Sequence, residues 1–404
     1  MMKPMMQFAI DFASYVAKGS VKFYGWLLFL FFFSVPMFIG FYWQVTEGMI
    51  VTNLNDQVSW GIYMENLTFL VGVAAGAVTI LFPAYAYKHK KMQEVVVLGE
   101  MLAVAAVFMC MLSVLFHMGR PDRLWHLIPG IGILNWPNSM LAWDMIVLNV
   151  YIVLNAVGAF YYLYKKYNGK GVNKVFYMPL VYVSMGWAIS IHTVTAFLLG
   201  TMPARPMWFH SILPIKFIAT AFAAGPAMII LIFLVIRNHT EMKIADEVIN
   251  LLSQIVTWCI GITLFIMLSE VVTELYPATE HSNSLQYLIV GKHGLTGTVP
   301  WYWTSLVMML LGFFILLIPT LRKNQSFFLP VACVMVFMGV YIEKGVGLIL
   351  PGFIPTPIGE YAEYFPSFLE MRNSTGIWAM GLLLYTVLAK GAIGVLLGKI
   401  KYKG

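Results

Sequence analysis

The sequence predicts an all-α integral membrane protein of ten transmembrane helices, built as two parallel-repeat four-helix bundles with the first and last helices flanking them. Three observations predict it. Of its 404 residues 60% are hydrophobic and only 11% charged, against roughly 45–50% and about 25% in soluble domains. Ten apolar stretches reach the about 20 residues that a helix needs to cross a hydrocarbon core. Lys and Arg then gather on one side of the resulting map. Soluble enzyme folds and disorder are excluded by 29 Phe, 21 Tyr and 12 Trp set against 18 acids. The formal charge of +7 reads as topology rather than as a nucleic-acid surface, so no nucleic-acid partner is expected.

The chain opens with Pro4–Ser20, where Met5, Phe8, Ala9, Phe12, Tyr15 and Val16 recur at helical spacing beside Asp11 and Lys18. Such a stretch lies on the inner membrane surface. A cleavable signal peptide is the rival reading, but the next apolar run is long enough to span and no small-residue cleavage pattern follows it. The ten spans fall near 23–43, 61–87, 93–117, 140–164, 175–200, 211–236, 247–275, 301–321, 326–350 and 376–398. Residues 1–22 then form the interfacial segment and 23–60 the first span with its outer loop. Residues 61–200 form the first bundle, 201–350 the second, and 351–404 the last outer loop, span and tail. The two halves carry a weak repeat. Val73-Ala-Ala-Gly-Ala77 parallels Phe222-Ala-Ala-Gly-Pro226, Met111-Leu-Ser113 parallels Met267-Leu-Ser269, and Met185-Gly186 parallels Met338-Gly339. The order is kept, and the second and sixth spans run in the same direction, which makes the repeat parallel about the membrane normal.

Seventeen Lys and Arg lie on the side of both termini, while Arg120, Arg123, Arg205, Lys292 and Arg372 lie opposite. That asymmetry places the termini in the cytoplasm and the chain, multi-pass, in the cytoplasmic membrane. The outward connections near 118–139, 276–300 and 351–375 are long and rich in Pro, Gly and aromatics. Two readings of them stand, an interfacial aromatic belt and a partner-docking surface.

Ionisable groups inside spans cost roughly 2.5–3.5 kcal/mol each on the insertion scale, so each needs a partner, a cavity or a task. Glu65, Asp144, His192, Lys216, Glu270, Glu274, Glu343 and Lys344 all fall in the outer half, whereas Glu100 and Lys390 lie towards the inner half. Bland readings exist for several of them. Lys216 and Lys390 can snorkel to headgroups, and Glu65 and Asp144 can be first-turn acids favoured by the helix dipole. Glu343 and Lys344, being adjacent, need different partners. Glu270 and Glu274 share a face, so one of them should face a base such as Lys216. His192 is either a packed, hydrogen-bonded core residue or a functional one, with Ser190 and Thr193 hydroxyls close in sequence.

Cys110, Cys259 and Cys333 stand singly, with no C-x-x-C, so neither an iron–sulfur cluster nor zinc nor c-type haem is expected. Only His192 and the helix-end His117 sit on spans, which disfavours b-type haem. Outer-half carboxylates, one histidine and aromatic walls suit a lipid-soluble molecule that exchanges protons with electrons, and a quinone head group is such a molecule.

Phe116-His-Met-Gly-Arg-Pro-Asp-Arg123 resembles the H-L-G-R-P-type motif of the NrfD/PsrC family, the polysulfide reductase membrane subunits and nitrite-reductase-associated quinol dehydrogenases. The segment from Val51 to Gly61, Asn138-Ser-Met-Leu-Ala-Trp-Asp144 and Ser190-Ile-His-Thr-Val-Thr-Ala196 are similar to its ten-helix branch, found in DsrP and Hmc-type complexes. The resemblance covers about residues 23–398. It implies a subunit of a multi-subunit respiratory complex that reacts with menaquinone and carries no prosthetic group of its own. The implied partners are an outer-face, ferredoxin-like iron–sulfur subunit, other membrane and cytochrome subunits, and the bilayer, with a link to dissimilatory sulfur metabolism. By position, Glu65, Asn66, His117, Asp144 and His192 would bind the quinone, and Arg120 and Arg123 would brace the docked partner. For the two arginines a helix C-cap, with Gly119 as terminator, is the alternative. Glu270, Glu274, Glu343, Lys216 and Glu100 would form a proton path. Two rival functions stand beside this one: an ion or solute transporter, and a passive anchor of redox subunits.

Overall fold

The computed structural model describes residues 2–128, 130–277, 279 and 282–402, and among them there is no β-strand. Ten helices of these residues are long and apolar enough to cross a membrane. In chain order they are α1 (Val21–Glu47), α2 (Ile62–Ala86), α3 (Val96–His117), α4 (Met140–Tyr167), α5 (Lys174–Gly200), α6 (Leu213–His239), α7 (Asp246–Leu275), α8 (Val299–Leu317), α9 (Phe328–Phe353) and α10 (Phe368–Leu396). The chain is a multi-pass integral membrane protein. In hydrocarbon every backbone amide has to be satisfied within its own segment, so ten apolar runs become ten helices.

The predicted bounds hold to within a few residues except at α10, which starts at Phe368 rather than 376. Its first turns carry Glu370, Arg372 and Asn373, too polar for a hydropathy window, yet hydrogen bonds take up Glu370 and Asn373, and the Arg372 guanidinium lies over the Trp43 ring. Ser367 caps the helix, its side chain accepting from the Glu370 amide. Buried Glu370 accepts from the amides of Asn53 (2.9 Å) and Ser367 (2.8 Å) and from the Tyr364 hydroxyl (2.7 Å). Glu370→Ala leaves the buried Tyr364 hydroxyl and two part-buried amides without their acceptor, at about 1–3 kcal/mol each. A loss of at least about 3 kcal/mol is therefore expected in denaturant unfolding of detergent-solubilised chain; a variant as stable as the parent would show that the acid holds nothing together.

α2, α3, α4 and α5 close one ring of contacts, and α6, α7, α8 and α9 close another. The rings meet where α2 packs on α6, with α5 on α6 and α2 on α9 beside it. The α2–α6 crossing is unusually close. A Cβ on Gly76 would lie 2.6 Å from Gly225 Cα, and one on Gly225 would lie 2.6 Å from Gly76 Cα. One turn away, a Cβ on Gly72 would be 3.3 Å from Ala221 Cα. Small residues four apart on both helices let the backbones touch, as in close membrane helix pairs. Gly76 and Gly225 are also the matching glycines of the Val-Ala-Ala-Gly and Phe-Ala-Ala-Gly segments.

α1 and α10 stand side by side. They pair with each other, and α10 then packs on α3, α2 and α4. A buried polar knot locks them in place: Gln44 accepts from Tyr63 (2.8 Å) and from Asn373 (2.6 Å) and donates to the Phe116 carbonyl (2.9 Å). The surface helix Met2–Ala17 packs on α10 and α4, with Phe8 against Tyr164 and Tyr167, and Asp11 accepting from the Tyr167 hydroxyl at 2.7 Å. Lys390 departs from the snorkelling reading. Its ammonium donates to the carbonyls of Val16 (2.9 Å) and Lys18, at the end of that surface helix, and lies over the Phe23 ring.

Candidate functional site at the seam between the bundles

The second bundle holds a buried ion cluster. Lys216, in the first turn of α6, places its Nζ 2.7 Å from Glu270 Oε2 of α7 and 2.9 Å from Glu343 Oε1 of α9. The three side chains are 2%, 11% and 1% exposed. Pairing and not snorkelling therefore accounts for Lys216. Glu274 follows Glu270 one turn nearer the helix end, and its Oε2 is buried without a partner. His210, in the loop before α6, brings Nε2 to 3.9 Å from Glu270 Oε1. Burial holds its imidazole below the usual histidine range, outweighing the upward pull of Glu270.

Lys344 points the other way from Glu343, as adjacent helical residues must. Its ammonium lies 3.2 Å from the centre of the Phe217 ring, is 1% exposed, and has no hydrogen-bond partner. Behind it α9 changes to a π-helical stretch, Gly345–Ile349, a form often found at functional positions. That widening brings Gly345 against the carboxyl group of Glu65 on α2. His192 of α5 also packs on Phe217, its ring centre 5.2 Å from that of Phe217. Gly72 makes the room, since a Cβ there would sit 3.2 Å from His192 Cε1. Both ring nitrogens of His192 are buried without a partner. Ser190 and Thr193 do not serve it, because their hydroxyls donate to the carbonyls of Gly186 and Ile189 on their own helix. His192, Lys344, Thr68, Phe69, Gly72 and Val340 line the seam, where the packing leaves no space large enough for a water molecule. Ligand pockets usually measure roughly 300–1,000 Å³, so a head group enters only if the helices part.

The remaining predicted residues divide. Asp144 is fully buried and accepts from the Thr195 hydroxyl at 2.6 Å, one turn along α5 from His192. Asn66 is spoken for by the protein: it donates to Ser374 (2.6 Å) and accepts from Tyr341 (2.9 Å) and Trp378 (3.0 Å). It ties α2 to α9 and α10. His117 ends α3 with its Nδ1 buried and unpartnered, but it does not line the seam. Glu100 lies in the first bundle, away from the ion cluster, against Gly158 of α4. Arg120 does not cap α3. It forks onto exposed Asp122 at 2.9 and 2.8 Å, and this contact holds the Asp122 carboxyl below its usual range. Arg123 is exposed beside them. Gly119 is not in the left-handed conformation that a terminator glycine adopts.

Sequence reasoning missed Lys344 as a seam residue; the absence of any acid four residues away on its helix was the available signal. Among the described residues no group of three or more His, Cys, Asp or Glu is placed to hold a metal ion. The seam instead offers an imidazole able to donate or accept, an ammonium, and aromatic walls.

Three proteins of comparable length are similar along nearly the whole chain. A selenate reductase subunit of Mesobacillus selenatarsenatis is 23% identical, covering 88% of this chain and 91% of its own. The putative dimethyl sulfoxide reductase membrane subunit of Halobacterium salinarum is 22% identical over 89% of each. The Hdr-like menaquinol oxidoreductase integral membrane subunit of Archaeoglobus fulgidus is 20% identical over 94% and 95%. The family model described as polysulphide reductase, NrfD, matches residues 50–354, all four motifs lie within that range, and the chain belongs to this family.

Proposed function

We propose that this chain is the quinone-reacting membrane subunit of a respiratory redox complex. It exchanges electrons between menaquinone and an iron–sulfur partner on the outer face, with proton movement and a link to dissimilatory sulfur metabolism. The observation that carries the reading is His192, an imidazole buried at the seam with both nitrogens unpartnered. A polar group left so inside an apolar scaffold is a candidate ligand for something that enters. Family membership and the menaquinol named for the Archaeoglobus relative support the choice of ligand.

A quinone supplies two carbonyl oxygens that become hydroxyls on reduction. His192 would donate to or accept from one oxygen, and the Lys344 ammonium, held over Phe217, would face the other. Asp144 would act behind His192 through α5, and Glu65 would border the entry where α9 turns π-helical. Glu343, Lys216, Glu270 and Glu274 would carry protons along the second bundle. Arg120 and Arg123, on the exposed loop after α3, would meet the iron–sulfur partner. An ion or solute transporter is the second reading, favoured by the charged cluster on its own; potential-driven ion flux in quinone-free liposomes would select it.

Titration of the purified chain with a menaquinone analogue, followed by quenching of its tryptophan fluorescence, tests the site. His192→Ala and Asp144→Asn should each raise Kd at least about tenfold, equivalent to about 1.4 kcal/mol. Unchanged affinity in both variants removes the site.

A further inference from the structure

A second set of polar groups, apart from the seam, runs through the first bundle. Along one face α4 buries Asp144, Tyr151, Asn155 and Gly158, the spacing that points a helix stripe at a bundle interior. Glu100 of α3 meets that stripe at Gly158, where an added Cβ would lie 3.3 Å from Oε1. Asp144, Asn155 and Glu100 are 0%, 1% and 2% exposed. Each nevertheless carries an oxygen with no hydrogen-bond partner: Asp144 Oδ2, Asn155 Oδ1 and Glu100 Oε2. Native proteins rarely leave one such acceptor, and three in a row on one stripe require donors that the chain itself does not supply.

Towards the side of the termini the line continues. The Tyr85 and Tyr177 hydroxyls are hydrogen-bonded at 2.9 Å. Tyr177 belongs to the first turn of α5, and Tyr85 to the π-helical end of α2, Phe82–Ala86. Glu100 is close enough to feel the phenols of Tyr85, Tyr151, Tyr162 and Tyr177 electrostatically, and among the described residues no cation pairs with it. From Asp144 to Gly158 the stripe covers about 21 Å of helix, most of a hydrocarbon core of about 30 Å.

We infer that this stripe is a hydrated proton inlet, running from the Tyr85–Tyr177 pair through Glu100 and Asn155 to Asp144. Water is the donor that fits three isolated acceptors, since a buried water makes about three hydrogen bonds. Phenol hydroxyls both donate and accept, so the tyrosine pair passes a proton by exchanging roles and forms the mouth. The stripe bypasses the Lys216 cluster altogether. The inference deepens the proposed function, on which it rests only in naming the quinone as the final proton acceptor, beyond Asp144 and Thr195. The inlet itself is tested without quinone.

The experiment is infrared spectroscopy of the purified full-length chain on transfer to D2O. Carboxyl C=O bands are assigned by their loss in Glu100→Gln and Asp144→Asn, and by the displaced band of Glu100→Asp should Glu100→Gln fail to fold. Both bands should shift within minutes. Tyr85→Phe with Tyr177→Phe should slow the Glu100 shift at least tenfold. Asn155→Leu should leave Glu100 fast while slowing Asp144 at least tenfold. A Glu100 band unshifted after hours overturns the inlet, as does an exchange rate indifferent to the tyrosines. Slowing of Glu100 by Asn155→Leu places the entry at the opposite end, and an unaffected Asp144 ends the line at Glu100; either result overturns the route. Analogue binding measured on the same samples separates the two claims, because exchange as expected in a chain that binds no quinone removes the proposed function and leaves the inlet standing.

Discussion

Lys216→Met will destabilise the chain by about 3–5 kcal/mol, because it removes the one cation that two buried carboxylates share. Glu270 and Glu343 come from different helices and meet only through that ammonium. Methionine fills much of the lysine volume, so the loss is electrostatic and not a cavity. The control is the triple variant Lys216→Met, Glu270→Gln and Glu343→Gln, in which no charge is left unpaired. Replacing a whole buried ion cluster by neutral side chains is often tolerated, whereas breaking one partner is not. Denaturant unfolding in detergent should therefore rank the triple variant nearer the parent than the single one. If the single variant unfolds with the parent, the cluster is not held by charge. Should the triple variant prove stable, the same protein becomes the sample in which to ask whether those protons serve the redox reaction.

Gly76→Ala is expected to cost at least about 1–3 kcal/mol, the range of overpacking in a tight core. The obstacle is backbone, Gly225 Cα at 2.6 Å, which has no rotamer through which to withdraw. Gly225→Ala should behave alike for the same reason. The double variant is more informative than either. Once one methyl has separated the helices, the second finds space, so the two penalties should sum to less than their total; neighbours in contact commonly show coupling of about 0.5–3 kcal/mol. Strict additivity in thermal or denaturant unfolding would mean that the two glycines do not touch in the membrane. Separation of α2 from α6 also disturbs the seam where Gly72, beside His192, lies against Ala221, so analogue binding should weaken in step with stability.

The architecture was legible because the bilayer leaves few options. An apolar run of about 20 residues has to be a helix, and the span map follows from counting. Failure came at α10, where Glu370, Arg372 and Asn373 hide the first turns from any hydropathy argument; of the partners that make Glu370 and Asn373 tolerable, Tyr364 is near in sequence, but Asn53 and Gln44 lie far away. The same limit applies to the site. That Lys216 would meet a carboxylate could be argued from the cost of burying it, and Glu270 was a reasonable choice. That Glu343, 127 positions downstream, would complete the cluster depends on α9 packing against α6, which no local pattern encodes. Asn66 belongs to the pocket only by the position that the resemblance gives it; its side chain is instead taken up by α9 and α10. Adjacency in sequence shows that Lys344 needs a partner other than that of Glu343 but assigns it no role in the site, because the neighbour that defines it is an aromatic face.

The contact between Gly76 and Gly225 bears on ancestry. In a symmetric homodimer every residue on the rotation axis meets its own copy, and here two glycines in matching positions of the halves meet in that fashion. A gene-doubling event that joined two identical four-helix units would preserve such an encounter as a relic of their former pairing. The halves have since drifted apart in chemistry. At the offsets of the repeats, Lys216, Glu270 and Glu343 correspond to Leu67, Val114 and Ser190, uncharged residues, so this cluster would have been acquired or retained by one descendant alone. A single-unit ancestor rebuilt from either half should associate with itself through its glycine stripe, and only the one derived from the second half would carry the lysine-centred cluster into that assembly.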